Sequence, residues 1–111
     1  METIFEKIIN RKIPAEILLE NEHVIAIKDI SPKAPVHILI ITKKVIPSFQ
    51  ELKEEDYYLL GEVAKAANKL AKEFNIEKGF RILSNTGTSS GQTIYHLHFH
   101  LLGGRDLNAM G

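Results

Sequence analysis

The 111-residue chain contains no cysteine. That absence removes disulfides, thiolate nucleophiles and cysteine-based metal sites, and makes a reducing interior, the cytoplasm, the expected compartment. It also lacks charge of one sign: 14 basic and 14 acidic residues leave a formal net charge of zero. With no long-range field to draw it, neither nucleic acid nor an acidic membrane is an expected partner. No basic region followed by a hydrophobic stretch opens the chain, so no signal peptide or membrane span is expected. Repeats, low-complexity tracts and linkers are missing too, and one domain over residues 1–111 is the reading. What remains is ordinary for a globular protein, at 44% hydrophobic and 25% charged residues.

The order of patterns gives the fold class. Thr3 and Glu6 fit a capping box that starts a short helix running to about Ile9 and ending before Pro14. Ile17-Leu18-Leu19 and Val24-Ile25-Ala26-Ile27 read as strands joined at Asn21-Glu22, with His23 beside the turn on the surface. Two prolines make Ser31 to Pro35 an irregular loop. His37 to Thr42 follows, apolar on both faces, as a central buried strand. From Glu54 to Phe74, Leu59, Val63, Ala66, Leu70 and Phe74 form one helical stripe. Phe80 to Ser84 is the next strand, and a final strand runs from Tyr95 to Gly103. Strands dominate around one long helix without βαβ alternation. The expected fold is α+β: a five-stranded antiparallel sheet with a short N-terminal helix and one long helix.

The chemistry is concentrated in Tyr95-His96-Leu97-His98-Phe99-His100-Leu101-Leu102. Side chains alternate along a strand, so His96, His98 and His100 are expected in a row on one face, with Tyr95, Leu97, Phe99 and Leu101 on the core side. A single strand histidine is usually structural. Three in strict alternation would each need partners if buried, and a merely solvated face gives no reason to favour imidazole. A zinc site is the obvious rival. Same-face neighbours lie ~6.6 Å apart and the outer pair ~13 Å, whereas zinc takes its nitrogens at ~2.0–2.1 Å. Two rings of the row can share an ion and three cannot without a bulge, so no metal and no cofactor are expected.

Other residues can complete a site. His37 opens the central strand, and beside the row it would hold another imidazole in one tautomer. The loop Asn85 to Thr93, with Gly87 and Gly91, leads into the histidines and is suited to an anion cradle of backbone N–H groups. It is not a P-loop, since no Gly-Lys-Ser/Thr follows. Asp29, at a strand end, suits either a turn cap or the two hydroxyls of a ribose.

Taken together, these stretches resemble the histidine-triad superfamily, and most closely its nucleotide-binding (Hint) branch. The matching residues are Thr3-Ile4-Phe5 with Lys7-Ile8-Ile9, Asp29-Ile30-Ser31-Pro32 with Ala34-Pro35, His37, Asn85, Gly91-Gln92, and Tyr95-His96 through Gly103-Gly104-Arg105. The resemblance covers nearly the whole chain. It implies a homodimer that joins two five-stranded sheets and hydrolyses purine nucleoside phosphoramidates or acyl-nucleotides without a metal. By the same resemblance His98 is the nucleophile, forming a nucleotidyl-histidine, with His37, His96 and His100 managing protons and phosphate oxygens. Asn85, Gly91, Gln92 and Thr93 would serve the phosphate end, and Asp29 the ribose. Ile4, Phe5, Ile8, Ile27, Ile30 and Leu39 would line the base pocket. The alternatives are a dinucleoside-polyphosphate hydrolase of the same superfamily and a weakly catalytic nucleotide-binding regulatory module. The tail Asp106-Leu107-Asn108-Ala109-Met110-Gly111 stands where many members have Trp-Pro-Pro-Gly, so the leaving group does not follow from the resemblance.

Overall fold

The computed structural model describes residues 2–110, leaving Met1 and Gly111 outside. Five strands, β1 (Ile17–Glu20), β2 (Val24–Lys28), β3 (Val36–Thr42), β4 (Phe80–Leu83) and β5 (His98–Gly103), form one antiparallel sheet in the order β1-β2-β3-β5-β4. The helices are α1 (Ile4–Ile9) and α2 (Tyr58–Glu73). Among the described residues no helix is long and apolar enough to cross a membrane.

Alternation along the strands divides the interior in two. Val24, Ala26, Ile38, Ile40, Phe99 and Leu101 point towards α2 and pack on Leu59, Val63, Ala66 and Leu70. Ile25, Ile27, Leu39 and Ile41 point the other way and pack on Phe5 and Ile8 of α1. With six residues, α1 is only ~9 Å long at 1.5 Å of rise per residue. It packs on the β2–β3 half of its face, and its Phe5 reaches across to the β5 half against the His98 ring. His98 and His100 stand on that same half, opposite Ile41 and Leu39 in register. His37, opposite Leu102 in β3, comes diagonally alongside His100.

α1 starts as expected: Thr3 Oγ1 accepts the Glu6 amide at 3.1 Å and Glu6 Oε1 accepts the Thr3 amide at 3.0 Å. It ends at Asn10, after which Arg11 turns into the left-handed region at φ 60°. Three expectations need correction. The last strand begins at His98, because Leu97 leaves the ladder to donate to the Ile46 carbonyl at 2.6 Å and to accept the Thr42 amide at 3.3 Å. Tyr95 is therefore 44% exposed instead of core. α2 begins at Tyr58 and not Glu54, since 54–56 form a tighter turn in which Asp56 accepts the Lys53 amide and pairs with Lys44.

Candidate functional site

The three histidines of the row occupy three different environments. His96 lies before the strand and is 0% exposed. Its Nε2 is 2.6 Å from the Thr42 carbonyl, which can only accept, so the ring proton sits on Nε2. Its Nδ1 faces Thr3 Oγ1 at 3.2 Å and accepts the hydroxyl proton. Both nitrogens are satisfied, and burial pushes the ring's pKa down. The row thus divides into two open rings, His98 and His100, and one buried ring, His96.

His98 donates from Nδ1 to the carbonyl of His96 at 2.7 Å. That bond fixes the tautomer and leaves a lone pair on Nε2. Burial lowers the pKa of this ring as well, against the pull of the His96 carbonyl. Ser84 Oγ donates to the carbonyl of His98 at 2.8 Å, steadying the strand behind the ring.

His100 is set from the other side. The Lys33 amide donates to His37 Nδ1 at 3.0 Å, so His37 carries its proton on Nε2, 2.9 Å from His100 Nδ1. His100 therefore accepts at Nδ1 and presents N–H at Nε2. His37 is pushed down by burial, opposed by Asp29, whose Oδ2 lies 3.4 Å from His37 Nε2. His100 is pushed down to about 4, first by burial and then by the neighbouring His98 and His37. Asp29 also caps its own turn, Oδ1 accepting the Ser31 amide at 2.7 Å. Among the described residues no buried side-chain nitrogen or oxygen lacks a partner. The unpartnered Nε2 atoms of His98 and His100 accordingly face accessible space. Their ring centroids are 5.2 Å apart. One ring offers a lone pair and the other a proton.

That space is a cavity of about 160 Å³ lined by Phe5, Asp29, Leu39, Asn85, Gly91, Gln92, Thr93, Ile94, His98 and His100. An apolar cleft of about 220 Å³ adjoins it, with Ile4, Phe5, Ile8, Ile27, Ile30 and Leu39 in its wall. Phe5, Asp29, Leu39 and Ile94 line both. Every residue expected at the site lines one of the two spaces except His37 and His96, which stand behind them. Ile30, 96% exposed, forms only the rim.

The glycine loop differs from the expected cradle. The amides of Ser90, Gly91 and Gln92 turn inward onto the carbonyls of Gly87 and Thr88, closing a short turn over Thr88–Ser90. Gln92 is buried and fully engaged: Oε1 accepts the Gly87 amide, while Nε2 donates to the carbonyls of Pro47 and Ile94. It holds the loop. The side chains of Asn85 and Thr93 make no hydrogen bond among the described residues and remain free to meet a ligand.

Asp29, His37 and His100 place one potential ligand atom each within 4.8 Å of one another, a grouping that strand spacing alone did not suggest. A hydrogen bond already joins the two imidazoles, and His37 Nδ1 is held by the loop amide. Sequence reading missed Thr3, the Lys33 amide and Ile94 as parts of the site. The first looked like a cap only, the second acts through backbone, and the third has no distinguishing chemistry.

The chain is similar in sequence and fold to known proteins. A family model described as "Scavenger mRNA decapping enzyme C-term binding" matches residues 2–110. A HIT-like protein of Chlamydia pneumoniae is 49% identical over 108 residues, covering 97% of this chain and 98% of that one. A purine nucleoside phosphoramidase of Escherichia coli K12 is 46% identical over 110 residues, covering 98% and 92%. Among solved structures, a HIT family hydrolase from Clostridium thermocellum superimposes with a TM-score of 0.93 at 49% identity, covering 97% and 95%. A histidine triad nucleotide-binding protein from Candida albicans gives 0.82 at 28% identity, covering 99% and 87%.

Proposed function

The chain belongs to the HIT (histidine-triad) family, and from that premise we propose that it hydrolyses purine nucleoside phosphoramidates or acyl-nucleotides by passing the nucleotide through His98. The observation that carries this reading is the pairing of a free lone pair on His98 Nε2 with a donor on His100 Nε2, both facing one cavity. The adjoining apolar cleft suits a base. Asp29, lining both spaces, suits the ribose between base and phosphate. The 46% identical phosphoramidase supports the same choice.

In this mechanism His98 Nε2 attacks the α-phosphorus, and the P–N bond to the leaving amine breaks with its electron pair going to nitrogen. Anionic phosphate beside His100 favours the protonated ring, and the His37 Nε2–H, displaced from His100 Nδ1, turns to Asp29 Oδ2, 3.4 Å away. That imidazolium gives its Nε2 proton to the departing amine. Water then attacks the nucleotidyl-histidine, returning a proton to His100 and the electron pair to His98, and releases the nucleoside monophosphate. The partly positive ring pair and the Asn85 amide offset charge at phosphorus without a metal.

The test is incubation of the protein with adenosine 5′-phosphoramidate, looking for turnover and, after an alkaline denaturing quench, an adenylyl adduct by mass spectrometry. His98→Ala is expected to lower kcat by roughly a thousandfold or more while adenosine monophosphate still binds. Wild-type turnover should survive a chelator. Full activity in His98→Ala rejects the nucleophile, and activity that returns only with added zinc rejects the metal-free route.

A further inference from the structure

The Thr3 hydroxyl is engaged twice. It accepts the Glu6 amide at 3.1 Å, which caps α1, and it has one proton left to give. That proton goes to His96 Nδ1 at 3.2 Å, across 93 residues of sequence. The His96 ring offers no alternative arrangement. Its Nε2 is committed to the Thr42 carbonyl at 2.6 Å, and at 0% exposure no bulk water reaches Nδ1. The carbonyl of the same residue is what holds His98 Nδ1 at 2.7 Å. A continuous set of hydrogen bonds therefore runs from the first turn of α1 to the ring that carries the free lone pair.

A second contact follows the same route. Phe5, in the first turn of α1, makes T-shaped contacts with the rings of His96 and His98, centroids 6.0 and 4.8 Å away. Phe5 and Ile8 of that helix also line the apolar cleft. The helix that walls the cleft is the helix that seats the histidines.

We infer that Thr3 is a positioning residue for the nucleophile, its hydroxyl tying α1 to the seat of His96 and so to the orientation of His98. This rests on His98 being the attacking group. Capping alone is a competing use of a threonine at this position. The two uses separate chemically, because a cap needs an acceptor and His96 needs a donor. Valine at position 3 provides neither, aspartate provides the acceptor alone, and serine provides both.

The experiment compares Thr3→Val, Thr3→Asp, Thr3→Ser and Glu6→Ala in the full chain. Two quantities are read: steady-state kinetics on adenosine 5′-phosphoramidate, and solvent exchange of the His96 Nε2 proton by ¹⁵N-edited NMR. In Thr3→Val and Thr3→Asp kcat should fall about tenfold with KM changed by less than about twofold, and the ring proton should exchange about tenfold faster. Thr3→Ser should restore both. Glu6→Ala, which removes the carboxylate bonded to the Thr3 amide but spares the hydroxyl, should lower thermal stability and leave kcat and the ring proton as in the wild type. If Thr3→Val does not fold, Thr3→Asp carries the test by itself. Wild-type kcat and wild-type exchange in Thr3→Asp would reduce the hydroxyl to a helix cap. A wild type that turns over no adenylated amine defeats the proposed activity instead, and the ring-proton exchange still decides the Thr3–His96 coupling.

Discussion

His96, His98 and His100 are one residue type at even spacing, yet their nitrogens have different things left to offer. Bonds to Thr42 and Thr3 close His96, the His96 carbonyl opens His98 at Nε2, and the His37 ring turns His100 into a donor. Burial pushes the pKa of each of these rings and of His37 down, which sets a pH dependence of stability. For His96 the sign is clear. Its folded pKa lies below the unfolded value near 6.5, so the unfolded chain binds the extra proton first as pH falls. Stability is complete above pH ~6.5 and declines below it, by up to ~1.4 kcal/mol per pH unit from this ring. Urea titrations from pH 8 to pH 5 should give a falling midpoint. A midpoint that climbs towards pH 5 would contradict a buried neutral His96.

At the scale of elements, the proline loop and the end of β5 lock together behind His37 and His100. Gly104 follows β5 at φ +95°, and a Cβ built there would lie 2.9 Å from Pro35 Cβ. Arg105 then donates to the Lys33 carbonyl at 2.7 Å, in the loop whose Lys33 amide holds His37. Gly104→Ala should destabilise the fold by ~1–2 kcal/mol from backbone handedness alone, with the Pro35 contact adding to it. It should also lower kcat by moving the Lys33 amide off His37. Chemical denaturation and phosphoramidate turnover check both parts, and an alanine variant with wild-type values would mean the loop shifts freely. The sequence displayed the Gly-Gly-Arg and Ser-Pro-x-Ala-Pro stretches, but nothing in their spacing says that they touch. That contact forms because β3 and β5 are adjacent and start and end at the same edge, Val36 facing Gly103.

For the whole molecule, β4 is an edge strand with Ile82 41% exposed. Unpaired edges carrying apolar side chains invite pairing with another chain. We propose that a second copy adds there, extending the sheet as the family resemblance implies. The 12.5 kDa chain should then sediment as a dimer, and Ile82→Lys should shift it towards monomer. A wild type that sediments as a monomer at micromolar concentration would reject this arrangement.

The element order, the α1 cap, the doubly buried central strand and the identity of the histidine cluster were all legible in the chain. Each follows from local rules: alternation, helical stripe, proline geometry and residue type. The sequence also determined which rings could be chemical, because imidazole is the one side chain here that both attacks and shuttles protons near neutrality. What it left open was which nitrogen of each ring is free. The proton placements on His96 and His100 are set by partners distant in sequence, Thr42 and His37, and only folding brings those atoms within bonding distance. The start of β5 was hidden for the same reason, since Leu97 and His96 leave the ladder for the Ile46 and Thr42 carbonyls on another segment. Local pattern chose the groups, and three-dimensional neighbours chose their protons.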